Sequence, residues 1–142
     1  MAKIADGPPH QAIHILVVED ERSIGQMLAD LLADDGYVVD IAANGRLALE
    51  KIESHCYDLI LSDLRMPELD GVGLYRELER RQPDLLRRLI VITGTSGHPD
   101  YERFLAQTQV PVLEKPFSVL ALHALMRQVL SVCRSAVEAP RG

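Results

Sequence analysis

The sequence predicts an α/β fold, a parallel sheet of five strands with helices on both faces. Five short apolar runs alternate with five segments of helical periodicity along the chain. The runs are short and bounded by turn residues, which is typical of strands that are buried on both faces. In such a fold the crossovers are right-handed and all strands point the same way. We therefore expect the carboxyl ends of the strands to share one edge of the sheet.

The first half of the chain contains two strands and two helices. Residues 13–18 form the first predicted strand and residues 37–41 the second. The helix between them begins at Arg22 and ends at Gly36, because glycine suits the left-handed conformation that closes helices. Asn44 is a predicted cap for the second helix. The apolar residues at helical spacing in these helices are Ile24, Met27, Leu28, Leu31, Leu47, Ala48, Leu49 and Ile52.

The third strand, within the stretch 58–70, is the centre of the predicted site. An apolar run leads into Ser62 and Asp63, and Pro67 follows in the loop. Proline cannot donate to a sheet, so the strand should stop before it. Asp63 therefore falls where a buried strand meets a loop. For this residue alone, a turn or capping role is as well supported as a functional one.

The second half of the chain continues the same alternation. The predicted helix over residues 69–81, with Val72, Leu74, Tyr75 and Leu78 as its apolar members, is broken by residues 82–84. The fourth strand covers residues 89–93 and runs into a small-residue loop at 94–97. Pro99 suits the first turn of the next helix, and the fifth strand covers residues 110–114. Pro111 in that strand indicates an edge position or the beginning of the strand. Ser118 caps the last helix, whose inner face carries Leu122, Leu125, Met126 and Val129.

Length and composition limit the classes of function. A chain of 142 residues corresponds to one domain, for which we expect a leader or linker at 1–12, the domain at 13–134 and a frayed tail at 135–142. The net charge of −6 argues against direct binding to nucleic acid. No apolar run approaches the length of a membrane span, and the N-terminus lacks a signal-peptide core. With Cys56 and Cys133 as free thiols, these features predict a cytoplasmic location.

Polar residues end four of the five predicted strands, and they should converge at one edge of the sheet. They are Glu19 with Asp20, Asp63, Thr93 and Lys115. Three carboxylates repel one another, and a hard divalent cation such as Mg²⁺ relieves that repulsion. Such a site can accept a phosphoryl group on a carboxylate, because the metal and the lysine ammonium stabilise the charge on the transferred oxygens.

These motifs resemble those of the receiver domain of two-component response regulators. The matching residues are Glu19-Asp20 after the first strand, Asp63 within SDLRMPELDG, Thr93 within IVITG and Lys115 within EKPF. All four occur in order, each at a predicted strand end, and the resemblance covers about residues 13–131. It implies a doubly wound (βα)5, flavodoxin-like sheet with strand order 2-1-3-4-5.

The resemblance also implies roles for these residues. Asp63 is similar to the aspartate that accepts the phosphoryl group, in a phosphorelay that depends on Mg²⁺. Asp20 corresponds to a direct metal ligand, Glu19 to one that acts mostly through water, and the backbone carbonyl of Arg65 to a third. Thr93 and Lys115 would contact the phosphoryl oxygens. The implied donor is a histidine kinase or a phosphotransfer protein, and the domain itself is not an enzyme.

The sequence departs from the family pattern at Val112, where an aromatic residue usually reports the phosphorylation state. We therefore expect any conformational switch to rely on the 94–97 loop and the start of the following helix. The segment QVPVLEKPF and the short tail favour the receiver of a hybrid histidine kinase over a stand-alone regulator. Self-association through the face formed by helix 4, strand 5 and helix 5 is a further expectation from the resemblance.

Two other classes of function fit the sequence less well. Small phosphohydrolases that form an aspartyl phosphate are expected to carry a DxD motif, with a second acid two positions after the nucleophile. In this chain the position two residues after Asp63 is Arg65. A flavodoxin-like cofactor binder needs a phosphate-binding loop after the first strand. The acids Glu19, Asp20 and Glu21 would repel a phosphate there. Bound yellow flavin in the purified protein would identify that second class.

Overall fold

The computed structural model describes residues 12–94 and 98–138, with side chains described up to residue 131. Within these residues, the chain forms one five-stranded sheet in the order β2-β1-β3-β4-β5. All four strand pairs are parallel. The predicted parallel sheet and its 2-1-3-4-5 order are therefore confirmed.

Strands and helices alternate along the whole described chain. The strands are β1 (His14–Val18), β2 (Val38–Ala42), β3 (Leu59–Asp63), β4 (Leu89–Thr93) and β5 (Val112–Glu114). The helices are α1 (Arg22–Asp34), α2 (Gly45–Ser54), α3 (Gly71–Arg81), α4 (Pro99–Thr108) and α5 (Val119–Glu138). A 3₁₀-helix over Pro83–Arg88 connects α3 to β4, where the sequence indicated only a break.

Two hydrophobic cores lie on opposite faces of the sheet. Alternate residues of β1 show the division, since Ile15 and Val17 belong to one core and Leu16 and Val18 to the other. On the first face the strands pack against α1 and α5, through Leu28, Leu32, Leu122, Met126 and Val129. On the second face they pack against α2, α3 and α4, through Ala48, Leu49, Ile52, Leu74, Leu78 and Phe104.

Most of the predicted helix ends are confirmed by their capping geometry. The Asn44 side chain accepts a hydrogen bond from the Leu47 amide at 2.9 Å, and Ser118 accepts one from the Ala121 amide at 3.0 Å. Gly36 follows α1 with a φ of +94°, as a closing glycine should. Pro99 occupies the first turn of α4. β5 lies at the edge of the sheet directly after Pro111, in agreement with the proline signal.

The structure corrects several boundaries and one packing assignment. The helix predicted to begin at residue 69 begins at Gly71, because Asp70 caps it by accepting the Gly73 amide at 2.9 Å. β2 is shifted by one residue, and β5 begins at Val112. Met27, one of the apolar residues at helical spacing in α1, is 56% exposed, whereas Leu28 and Leu32 face the core.

The predictions for the chain ends and for one loop fall partly outside the described residues. These are the leader at 1–11, positions 95–97 of the small-residue loop, and residues 139–142. α5 continues to Glu138, so its backbone extends into the segment predicted as a frayed tail. No helix in the described chain combines the length and the apolar character needed to cross a membrane.

Candidate functional site

Three carboxylates meet at the carboxyl edge of the sheet, as the strand ends predicted. Glu19 and Asp20 follow β1, and Asp63 is the last residue of β3. One oxygen from each of these side chains lies within 4.8 Å of the others. Glu19 and Asp63 are buried and Asp20 is exposed, so the cluster opens to solvent on one side. A group of oxygen ligands of this kind is what a hard cation prefers.

Asp63 is held in place by the central strands. β3 lies between β1 and β4, and Asp63 is paired with Ile92 in the sheet register. The Leu64 amide donates to the Ile92 carbonyl at 3.0 Å and to Asp63 Oδ1 at 2.9 Å. The carboxylate is therefore oriented by its own backbone, and its second oxygen, Oδ2, faces Lys115.

Glu19 is buried, and only one of its two carboxylate oxygens accepts a hydrogen bond in the described residues. Its Oε2 accepts a hydrogen bond from the Glu21 amide at 3.1 Å, just before α1. Its Oε1 is fully buried and has no hydrogen-bond partner in the described part of the chain. Burial raises the pKa of Glu19, the Glu21 hydrogen bond lowers it, and the negative charge of Asp63 raises it again. An unsatisfied buried carboxylate oxygen is costly without a cation.

Lys115 brings positive charge to the cluster from the neighbouring edge strand. Its backbone amide donates to the Thr93 carbonyl at 2.8 Å, which continues the β4–β5 pairing past the end of β5. Its ammonium lies 3.3 Å from Asp63 Oδ2 and 3.7 Å from Glu19 Oε1. The second distance is an ion pair and not a hydrogen bond. Lys115 therefore faces two of the three acids, and the three carboxyl groups of the cluster outnumber it.

Thr93 and Arg65 occupy the other two predicted positions. Thr93 is the buried last residue of β4, adjacent to the backbone of Lys115 through the hydrogen bond just described. Arg65 lies two residues after Asp63 in the loop that follows β3, and its side chain is exposed. The structure thus brings together Glu19, Asp20, Asp63 and Lys115. The roles of Thr93 and of the Arg65 carbonyl remain predictions.

Two glycines make close backbone contacts with the loop between β3 and α3. The Gly71 amide donates to the Leu64 carbonyl at 2.9 Å, and a Cβ at Gly71 would lie 2.7 Å from the Asp63 carbonyl oxygen. The Gly45 amide donates to the Leu69 carbonyl at 3.0 Å, and a Cβ at Gly45 would collide with that same oxygen. Any side chain at either position would displace the loop that follows Asp63.

Sequence reasoning missed one further residue beside the site, Tyr101 of α4. Its hydroxyl donates to Asp70 Oδ2 at 3.3 Å. Burial raises the pKa of Tyr101, and the negative charge of Asp70 raises it further. The apolar periodicity of α4 shows that Tyr101 can face inward, but no sequence signal pairs it with a residue 31 positions earlier.

Comparison with known proteins identifies the family that this chain matches. The family model of the response regulator receiver domain matches residues 15–127. The response regulator ArlR of Staphylococcus haemolyticus is 35% identical over 117 residues, which are 82% of this chain and 52% of that protein. The chain therefore spans about half the length of that curated relative.

Solved structures of receiver domains have the same fold. The receiver domain of a signal transduction histidine kinase from Syntrophus aciditrophicus is 34% identical, with a TM-score of 0.77, over 85% of this chain and 92% of that one. The receiver domain of a sensor histidine kinase from Pseudomonas aeruginosa is 29% identical, with a TM-score of 0.76, over 85% of this chain and 99% of that one. That structure has a magnesium ion coordinated in its active-site cleft.

The family model covers most of the described chain, and the fold and the acidic strand ends agree with it. The chain belongs to the response regulator receiver domain family.

Proposed function

We propose that this receiver domain accepts a phosphoryl group on Asp63 and passes or reports a signal in a two-component phosphorelay. The observation that supports this most directly is the position of Asp63, a buried carboxylate with one oxygen 3.3 Å from the Lys115 ammonium and two more acids within 4.8 Å. The function rests on this juxtaposition of one cation and three carboxylates at the edge of the sheet.

The residues present fit a magnesium ion. Glu19 Oε1 is buried without a hydrogen bond in the described residues, and the three acids outnumber the single lysine that faces them. Asp20, Asp63 and the Arg65 carbonyl would hold the ion, with Glu19 acting mostly through water. When bound, the ion would screen the acids and neutralise charge on the transferred phosphoryl oxygens.

The chain's own groups would serve the transfer by orientation and charge. The Leu64 amide holds Asp63 Oδ1, and Lys115 directs Oδ2 by its positive charge. In the transfer, a carboxylate oxygen of Asp63 forms a bond to phosphorus, and the P–N bond of a phosphohistidine donor breaks. The bonding electron pair returns to the imidazole nitrogen. Lys115 and the Thr93 hydroxyl would then contact the phosphoryl oxygens.

The partners follow from this chemistry. The donor is a histidine kinase or a phosphotransfer protein, and the domain acts as a phosphoacceptor in signalling, not as an enzyme in its own right. A cytoplasmic location agrees with the free thiol of Cys56. A place within a hybrid kinase and a homodimer through the α4–β5–α5 face stay predictions.

The acceptor role can be tested with a small-molecule phosphodonor. Wild-type protein incubated with acetyl phosphate and Mg²⁺ should gain the mass of one phosphoryl group, and Asp63→Asn should gain none. Asp58→Asn is a matched control, because Asp58 lies just before the other end of β3, where its carboxylate accepts the His14 amide at 2.9 Å. The control should react as the wild type does. An Asp63→Asn protein that gains the group at the wild-type rate would refute the assignment.

A further inference from the structure

Tyr101 connects α4 to the capping residue of α3. Its hydroxyl donates to Asp70 Oδ2 at 3.3 Å, while Asp70 Oδ1 accepts the Gly73 amide at 2.9 Å. One carboxylate therefore caps α3 and holds the first turns of α4. A 3.3 Å O–H···O bond is longer than the usual 2.7–2.8 Å or so, and it can be broken at low cost.

Asp70 is in turn joined to the backbone of Asp63 by a short path. The residue after Asp70 is Gly71, whose amide donates to the Leu64 carbonyl at 2.9 Å. Gly71 approaches the Asp63 carbonyl so closely that a Cβ would lie 2.7 Å from it. A displacement at the end of β3 therefore reaches Asp70 through close backbone contacts, and reaches Tyr101 through one hydrogen bond.

The surroundings of Tyr101 orient its ring. The side chain is half-buried and packs against the core on the α2–α3–α4 face, and the His98 ring lies 4.7 Å from it at 33°. Burial and the negative charge of Asp70 raise the pKa of Tyr101, and the charge of Asp63 also raises it. The hydroxyl is therefore a protonated donor that lies within the electric field of Asp63.

We propose that Tyr101 is a positioning residue that ties the start of α4 to the loop after Asp63 and carries the response of α4 to phosphorylation. The second half of this role rests on the proposed acceptor function of Asp63. Phosphorylation would replace the Asp63 carboxylate charge of about −1 by an acyl-phosphate charge of about −1.5 to −2, and would bring three phosphoryl oxygens to this end of β3. A shift of the Asp63 backbone on phosphorylation would reach Asp70 through the close contacts of Gly71 and weaken the 3.3 Å bond to Tyr101.

This role would suit a chain that lacks the usual aromatic residue in the fifth strand. Val112 at the start of β5 is β-branched and short, so it cannot move between the surface and the interior. Tyr101 supplies an aromatic ring with a polar tip on the neighbouring helix, within reach of the loop that Asp63 begins. The coupling would thus run from β3 through α3 to α4.

The test is amide hydrogen exchange on the full chain, free and with beryllofluoride and Mg²⁺, for wild type, Tyr101→Phe and Tyr75→Phe. Tyr75 is the matched control: it packs edge-on against Phe104 between α3 and α4, and its hydroxyl has no hydrogen-bond partner in the described residues. In free Tyr101→Phe, amides of residues 98–104 should exchange about fivefold faster than in wild type, the factor for one hydrogen bond of about 1 kcal/mol. Tyr75→Phe should leave them unchanged.

The beryllofluoride arm separates the two parts of the proposal. The change in exchange at 98–108 on addition of beryllofluoride should be at least about twofold smaller in Tyr101→Phe than in wild type. Equal exchange in free Tyr101→Phe and free wild type would overturn the tie itself. An unreduced response would overturn the coupling. A wild-type protein that shows no response around Asp63 would instead count against the proposed acceptor function, since the free-protein arm does not depend on it.

Discussion

Two groups of ion pairs in this molecule use the same chemistry in different surroundings. On the exposed side of α2 and α3, Arg81 lies 2.7 Å from Glu53 and 3.0 Å from Glu77. At the edge of the sheet, Lys115 lies 3.3 Å from Asp63 and 3.7 Å from Glu19. The difference is burial: the side chains of Glu53 and Glu77 are 61% and 31% exposed, whereas those of Glu19 and Asp63 are 2% and 10% exposed.

Burial also reverses the direction in which the pKa of a carboxyl group is shifted. Hydrogen bonding and charge from Arg80 lower the pKa of Glu77, so its charged form is favoured by folding. Burial raises the pKa of Glu19, so its charged form is disfavoured. The exposed network stabilises the fold modestly, and salt screens its charges. The buried cluster is a site of local instability at which a cation can bind or a phosphoryl group can be transferred.

The largest expected effect on the free energy of unfolding comes from removing the positively charged partner of each group of ion pairs. In metal-free buffer, Lys115→Met should lower the free energy of unfolding by about 2 kcal/mol, because Glu19 and Asp63 are then buried without a positive partner. This is less than for a fully buried pair, since the lysine side chain is 30% exposed. Arg81→Met, the matched change in the exposed network, should cost less than about 1 kcal/mol. Urea unfolding measures both, and equal losses would contradict the comparison.

A smaller effect of opposite sign is expected from the removal of an acid. Asp63→Asn should raise the free energy of unfolding by about 1 kcal/mol in metal-free buffer, because the repulsion from Glu19 and Asp20 is relieved. Glu77→Gln in the exposed network should instead lower it slightly, because an exposed ion pair contributes little. Added Mg²⁺ should stabilise the wild type and remove the advantage of Asp63→Asn. A destabilised Asp63→Asn protein would show that the cluster is not strained by its charges.

The smallest expected effect is on how the stability of the fold depends on pH. The pKa of Glu19 is higher in the folded chain than the ordinary value of 4.5, so its contribution to stability is complete below 4.5 and is lost as pH rises through the folded pKa. The pKa of Glu77 is lowered, so its contribution is present above 4.5 and is lost as pH falls through the folded pKa.

Paired variants measure these opposite trends. As pH falls toward 4.5 in metal-free buffer, wild type should gain stability relative to Glu19→Gln. Below about pH 4.5, it should lose stability relative to Glu77→Gln. If both differences have the same sign, the two carboxyl groups do not differ in the way that their burial implies.

The sequence was sufficient to predict which side chains meet at the site, because that depends on topology. In a parallel sheet every strand ends at the same edge, so Glu19, Asp20, Asp63 and Lys115 converge whatever their rotamers are. The caps at Asn44 and Ser118 were predictable for a similar reason, since they depend on local spacing.

The rest of the site depends on loop paths and side-chain directions that no local pattern encodes. The unsatisfied oxygen of Glu19 follows from how that side chain turns toward the Glu21 amide. The bond from Tyr101 to Asp70 joins two helices through tertiary packing. The start of α3 was misplaced although Asp70 is a good capping residue, because the apolar Leu69 beside it also fitted the helical pattern.

The two glycines that hold the loop after β3 have a consequence for how this domain can diverge. Gly45 and Gly71 contribute no functional side chain, yet the amide of each donates to a backbone oxygen of that loop. In a library of single substitutions, these two positions should accept fewer residue types than the exposed surface of α2 and α3, and alanine should already be rejected. Substitutions on the exposed faces of these two helices should therefore leave the path of the loop after Asp63 unchanged.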